Sequence, residues 1–239
     1  MTPGRTKASP SAQRRSRERE QRRDCILRAA EHVFHQRGFA QTTMDQVAEQ
    51  AELSKGTLYL YFKNKDDLHV ALSTCMVDEV LQRFTEVLAG DRSGIELVER
   101  AMQAYGEVVR ANPENFRTSV IWMVSGQAAD TRTPEFVAHR AKIKRLVAAM
   151  VEAIGRGQRD GSIRRDLDPT QTAFRLWAAM VGALQIQINR LEMVRRFPAP
   201  VDLDAFFAGL LDLLCEGLRP RPRRSEAAGR RISRKRSSR

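Results

Sequence analysis

The sequence predicts an all-α protein, and three observations carry that prediction. Ala, Leu, Arg, Glu and Gln are plentiful, with Gly at 14 and Pro at 9 of 239 residues, a composition that favours helix. Apolar residues recur at helical spacing, and no stretch alternates apolar and polar residues between hairpin turns. One segment, Thr43 to Asp67 (TMDQVAEQAELSKGTLYLYFKNKDD), spells two small helices joined by a tight turn.

The elements follow in order. A first helix is expected from about Arg22 to Arg37, with Ile26, Ala30, Val33 and Phe34 as its buried stripe and Gly38 ending it while Phe39 folds back. Thr43 caps the next helix, and Gln46 closes a capping box. Met44, Val47, Ala48 and Ala51 give that helix an apolar face, and Leu53 plugs the turn. Ser54 caps a very short helix with Leu58 and Phe62 inward at i, i+4. Asn64 caps a fourth helix, with Asp66 and Asp67 in its first turn where the helix dipole favours acids. Its apolar face is Leu68, Leu72, Cys75 or Met76, Val80 and Phe84.

Further along, a helix from about Ile95 to Ala111 places Val98, Met102, Tyr105 and Val109 at helical spacing. Asn112-Pro113 breaks it, and Phe116 to Val124 is helical and apolar. Thr133-Pro134 opens a long helix to about Ile154, with a turn region from Gly155 to Asp168. Pro169 opens a helix to about Leu191, and a last helix runs from about Leu203 to Leu218.

The very short helix is unusual for what it exposes. Lys55, Gly56, Thr57, Tyr59, Tyr61 and Lys63 fall on the face opposite Leu58 and Phe62. Hydroxyls and ammoniums suit phosphate oxygens and base edges. Gly in a helix costs about 1 kcal/mol relative to Ala, so Gly56 makes sense where a partner approaches the backbone closely. A recognition helix meets duplex DNA with its N-terminal residues. The alternative, a hairpin in an ordinary bundle, does not account for two tyrosines and two lysines on so short an outer face.

Ile26 to Leu72 resembles the DNA-binding domain of the tetracycline-repressor (TetR) family. The matching residues are Gly38-Phe39, Thr42-Thr43, Val47-Ala48, Ser54-Lys55-Gly56-Thr57-Leu58-Tyr59, Tyr61-Phe62, Lys65 and Leu68. The resemblance implies a helix-turn-helix DNA-binding domain followed by a helical ligand-binding and dimerisation domain. The expected organisation is a basic disordered tail over 1–20, the DNA-binding domain over 21–67, the effector-binding and dimerisation domain over 68–218, and a second disordered basic tail over 219–239. The resemblance implies DNA contacts at Lys55, Thr57, Tyr59, Tyr61 and Lys65; charge adds Lys63, and Gly56 is expected to permit close approach to bases. Thr43 is expected to offer its hydroxyl or backbone N–H to a phosphate.

The net charge of +12 sits in the tails. Residues 1–23 carry +6 and residues 219–239 carry +9, so the remainder is −3. The N-terminal tail is expected to track phosphates and add salt-dependent affinity; for the C-terminal tail, DNA contact and mere solubility are equally good readings. A sequence-neutral architectural protein is the alternative function, and the mildly acidic body speaks against it. Catalysis is not expected. His32, His35, His69 and His139 fit no metal-ligand spacing, and GxSxG, a P-loop and CxxC are missing from the sequence. No metal or cofactor is expected. The three cysteines, Cys25, Cys75 and Cys215, read as buried thiols in a reducing compartment. The longest apolar run, Leu176 to Leu184, is too short to span a bilayer, and the arginine-rich N-terminus is no signal peptide. A soluble, cytoplasmic protein is expected.

Met102, Tyr105, Phe116, Trp122, Met123, Gln127, Phe136, Trp177 and Met180 are candidates to line a pocket for an apolar or aromatic effector. Taken singly, each is more often an ordinary core residue; the pocket reading rests on the resemblance. The last two helices carry apolar faces wider than one partner helix needs. Phe174, Val181, Gly182, Leu184, Ile188, Phe206, Gly209, Leu210 and Leu213 are the candidate homodimer surface, half of a symmetric four-helix bundle as in the family. A dimer would set two recognition helices about 34–36 Å apart on a palindromic operator.

Overall fold

A computed structural model describes residues 9–124, 133–189 and 201–221, with backbone alone at 10, 121–124, 189 and 204. Among the described residues every regular element is an α-helix: α1 Pro10–Gln41, α2 Met44–Gln50, α3 Lys55–Tyr59, α4 Lys65–Leu88, α5 Gly94–Ala111, α6 Pro113–Val124, α7 Pro134–Asp160, α8 Pro169–Asn189 and α9 Leu203–Leu218.

α1 starts at Pro10, where the sequence reading expects disorder to about residue 19 and a helix from Arg22. Local chemistry explains the difference. The Ser9 hydroxyl accepts from the Ala12 N–H, Pro10 occupies the first turn, and Arg14 pairs with Glu18 at 2.8 Å. Residues 11–22 are all exposed, so this extension is a solvated helix held by propensity and capping. The helix breaks at Gly38, whose φ of 74° and ψ of 156° lie outside the range of an L side chain's comfort. The Thr42 hydroxyl then donates to the Gly38 carbonyl at 2.9 Å, turning the chain toward α2.

The helix-turn-helix forms as its caps dictate. The Thr43–Gln46 capping box is complete, Ser54 accepts from the Thr57 N–H, and Asn64 accepts from the Asp67 N–H. Glu52 takes the left-handed turn conformation at φ 55°, and the Leu53 N–H returns to the Ala48 carbonyl at 2.9 Å. Ile26, Val47, Leu58, Phe62 and Leu68 are at most 1% exposed and form the core of this head. Each such side chain contributes about 1.5–3 kcal/mol by burial, so Leu58→Ala would dissolve the α2–α3 packing.

A second, larger core joins α4 to α9. α4 belongs to both: Leu68, Ala71 and Leu72 enter the head, while Met76, Val80 and Phe84 enter the body. α7 continues to Asp160, beyond the expected end at Ile154, and stops at Gly161 with φ 82°. Gly155 and Gly157 therefore lie inside the helix. Gly157 is required there because α5 and α7 cross at this point: a Cβ on Gly94 would overlap the Gly157 backbone, and a Cβ on Gly157 would run into Ile163. Cys215 is buried, Cys25 is half-buried, and Cys75 is exposed. The reading of three buried thiols therefore fails at Cys75, which falls on the solvent side of α4. No helix among the described residues is long and apolar enough to cross a membrane.

Candidate functional site: a DNA-facing helix and an apolar chamber

α3 presents Lys55, Gly56 and Tyr59 to solvent, and Leu60, which caps its end, is exposed as well. Lys55 pairs with the exposed Asp45 of α2 at 2.5 Å; both side chains are more than half exposed, so the pair is weak and can open toward a phosphate. Gly56 has ordinary helical geometry, and a Cβ there would meet nothing nearer than the Ser54 hydroxyl at 3.9 Å. Neither backbone nor packing demands glycine there. Leu60, 78% exposed, is an apolar feature of this face that the sequence reading omits; an apolar side chain on such a face suits a thymine methyl.

The other candidate contacts divide. Lys63 is exposed, while Thr57 is half-buried with its hydroxyl 2.9 Å from that of Ser54. Thr43 is exposed, but its backbone N–H already donates to Gln46 Oε1 at 3.0 Å, so only its hydroxyl proton remains for a phosphate. Tyr61 is half-buried against the head core, and the Arg19 guanidinium stands 6.0 Å from its ring centroid. Lys65 departs from the expectation. Its ammonium donates to the carbonyls of Phe39 and Ala40 at 3.1 Å and of Thr42 at 3.4 Å. All three N–H donors are thus spent holding the end of α1 against the start of α4.

The body contains two adjoining chambers. The larger, about 400 Å³, lies among α5, α7 and α8 and is lined by Met102, Tyr105, Trp177 and Met180 with Ile143, Leu146, Val147 and Met150. The smaller, about 220 Å³, is lined by Phe116, Val120, Val77 and Val181 and carries a polar end at His69, Ser73, Ser119 and His139. Tyr105, Ile143, Leu146 and Trp177 border both. Burial pushes the Tyr105 phenol up to about 12, against the opposing effect of a hydrogen bond with Trp177. Burial likewise pulls His69 down to about 4, helped by the nearby His139, so its imidazole is neutral near pH 7.

Five of the nine candidate pocket residues, Met102, Tyr105, Phe116, Trp177 and Met180, border these chambers. Phe136 borders neither. Trp122 and Met123 fall where the backbone alone is described, and Gln127 lies outside the described residues. The α7 stripe at 143, 146, 147 and 150 was legible as helical spacing but gave no sign of facing a void.

Of the candidate dimer residues, Phe174, Gly182, Gly209 and Leu213 are exposed. Leu184 is completely buried in the subunit's own core, which removes it from that surface; α8 is rotated so that Ala183 and Leu184 face inward. Val181 borders the smaller chamber. Ile188, Phe206 and Leu210 are half-buried against the same core.

A helix-turn-helix head joined by one shared helix to a body with an apolar chamber defines a class, the one-component regulators that couple a small molecule to DNA. Residues 26–72 match the family model for bacterial regulatory proteins of the tetR family, and residues 98–214 match that for the tetracyclin repressor-like C-terminal domain. The chain belongs to the TetR family of transcriptional regulators. Such regulators bind operator DNA as dimers and respond to small-molecule effectors; they are not enzymes.

The HTH-type transcriptional regulator YhgD of Bacillus subtilis is 29% identical over 193 residues, covering 80% of this chain and 93% of that protein. The HTH-type transcriptional repressor KstR2 of Mycolicibacterium smegmatis is 27% identical over 147 residues, 62% of this chain and 70% of that one. Among solved structures, FadR of Bacillus subtilis in complex with stearoyl-CoA superposes with a TM-score of 0.63 at 19% identity, covering 82% of this chain and 98% of that one. The ketosteroid regulator KstR2 of Mycobacterium tuberculosis gives 0.61 at 18% identity, covering 84% and 96%.

Proposed function

We propose that this regulator is a cytoplasmic repressor that binds a palindromic operator as a homodimer and leaves it when an apolar or aromatic effector enters the body. Residues 21–67 serve as the DNA-binding domain and residues 68–218 as the effector and dimerisation domain. The observation that carries the reading is α4: one helix packs into the head core at Leu68 and Leu72 and borders the smaller chamber at His69, Ser73 and Val77. An effector with different affinity for two placements of α4 shifts the head between operator-competent and incompetent states.

Lys55, Gly56, Thr57, Tyr59, Tyr61 and Lys63 act on DNA in this reading, with the Thr43 hydroxyl on a phosphate and Leu60 as an apolar contact. Lys65 acts by positioning the head. The basic N-terminal helix follows phosphates beside the half-site. The test is fluorescence anisotropy with duplexes tiling the DNA around the protein's own gene, at a stated salt concentration with random competitor. Tight binding to one palindromic duplex by two subunits supports the reading. Equal, salt-sensitive binding to every duplex would instead make this a sequence-neutral architectural protein.

A further inference from the structure

The two chambers differ in one respect that bears on the effector's chemistry. The larger is bordered almost wholly by hydrocarbon and aromatic groups, while the smaller ends on a connected set of polar side chains. We propose that the effector is an uncharged amphipath whose single hydroxyl or carbonyl is held by the Ser73 and Ser119 hydroxyls beside His69, with its apolar body in the larger chamber. This rests on the effector-responsive reading above and names the ligand class for that site.

The hydrogen-bond directions show how the set would receive such a group. Ser119 Oγ is 3.5 Å from Asn115 Oδ1, a long and weak bond through which it donates. Ser73 Oγ is 2.9 Å from Ser119 Oγ, and His69 Nε2 is 3.4 Å from Ser73 Oγ. The Ser119 proton is the cheapest to redirect, because its present acceptor is at the limit of bonding distance and the Asn115 amide is anchored separately on the Leu72 carbonyl at 2.9 Å. Turned into the chamber, that proton meets a carbonyl oxygen. Left in place, the serine lone pairs accept from a hydroxyl.

Charge selects against ionised ligands. No Lys, Arg, Asp or Glu borders either chamber among the described residues. A carboxylate or ammonium placed there would be desolvated with no charged partner among the described residues, which is far more costly than burying a hydroxyl that finds hydrogen bonds. His69 does not supply the missing cation, since burial keeps its imidazole neutral. The site rewards one hydrogen bond on a hydrocarbon or ring body.

The test uses the full-length protein and the neutral fluorophore N-phenyl-1-naphthylamine, displaced in turn by 1-decanol, 2-decanone, decane, decanoate and decanoyl-CoA. Decanol or decanone should displace the fluorophore at about tenfold lower concentration than decane, a fold-change expected of one buried hydrogen bond. In Ser73→Ala/Ser119→Ala that advantage should shrink to within about threefold, while decane itself displaces unchanged and so reports an intact chamber. If the double variant does not fold, Ser119→Ala alone must reduce the advantage.

An advantage that survives the serine substitutions overturns the proposal. So does a preference for decanoate or decanoyl-CoA that ignores the serines. A protein that takes up neither the fluorophore nor any competitor, yet binds its operator, overturns the effector site while leaving the DNA-binding reading intact.

Discussion

The ammonium of Lys65 stands 4.8 Å from the centroid of the Phe39 ring and donates at 3.1 Å to the Phe39 carbonyl. One helical turn along α4, His69 meets the same ring edge-on, 5.5 Å between centroids. A further turn brings Ser73, at the polar end of the smaller chamber. Lys65, His69 and Ser73 thus form a stripe at i, i+4, i+8 that runs from the anchor of the DNA-binding head to the candidate effector site. Phe39 is the residue of the head that both Lys65 and His69 touch.

The Lys65 contacts predict a separation between two lysines that look alike in sequence. Lys65→Met loses three hydrogen bonds from a charged donor and should cost about 2 kcal/mol of stability, or ~4–8 °C in melting temperature for a chain of this size. Lys63→Met, at an exposed position, should leave melting unchanged and reduce the salt dependence of operator binding by about one phosphate. Thermal melts and a salt titration on both variants check this. Equal melting temperatures would return Lys65 to the DNA surface.

His69 predicts the stability of the fold against acid. Its folded-state pKa is about 4, lowered first by burial and then by His139, against about 6.5 in the unfolded chain. Between these values the unfolded chain binds a proton that the folded one refuses. The stabilising preference is therefore complete above about pH 6.5 and is lost as pH falls toward 4. From pH 6.5 to 5 this amounts to roughly 2 kcal/mol. Urea midpoints at pH 7.5 and 5 should separate, and His69→Gln should narrow the gap. An undiminished gap in the variant assigns the acid sensitivity to other groups, with His139, also lowered by burial, as the next to test.

The helix-turn-helix was legible because its determinants are local. Thr43, Ser54 and Asn64 announce helix starts, and Leu58 and Phe62 announce the buried face, from residues within four positions of one another. The chamber was half legible: Tyr105 and Trp177 stood out by size, but Ser73 and Ser119 meet across 46 positions and look like any helix serine. The contacts of Lys65 were not legible because its partners, the carbonyls of residues 39, 40 and 42, leave no side-chain signature. α7 ran past Gly155 because the reason for Gly157 is a helix crossing at Gly94, a tertiary fact. Leu184 shows the same limit. A wide apolar face does not say which part turns inward.

The N-terminal helix predicts a contact beyond the half-site. Arg15, Arg19 and Arg23 follow one another at i, i+4, i+8; Arg19 reaches the Tyr61 ring and Arg23 stands 5.3 Å from the Phe62 ring centroid. The stripe therefore starts beside the DNA-facing module and runs outward along a solvated helix. Arg15→Gln/Arg19→Gln should lower the slope of log affinity against log salt by about two units and weaken binding to all duplexes alike, with melting unchanged. An unaltered slope would leave the extension a solvated helix and nothing more.

Gly94 and Gly155 predict opposite outcomes for the same substitution. A Cβ at Gly94 overlaps the backbone of Gly157, and backbone cannot step aside as a side chain can. Gly94→Ala should force α5 and α7 apart and cost about 3 kcal/mol, the upper end of what overpacking typically costs. At Gly155 the nearest group to a new Cβ is the flexible end of Arg159 at 3.4 Å. Gly155→Ala should therefore gain about 0.5–1 kcal/mol from helix propensity. Denaturant midpoints measure both, and a Gly94→Ala protein as stable as the parent would mean that the two helices do not cross where the glycines place them.

The exposed faces of α8 and α9 predict how the subunits meet. Leu213 is 73% exposed, and a Cβ on Gly182 or Gly209 would enter open space, so nothing among the described residues covers this surface. Leu213→Glu places a charge where two copies would exclude water, while the isolated subunit, already hydrated there, keeps its helices. Sedimentation should show a monomer with unchanged circular dichroism. Operator affinity should fall by ~10²-fold or more, the avidity lost when two half-sites are no longer bound together. A variant that remains dimeric and binds as the parent does would move the interface to another face of the body.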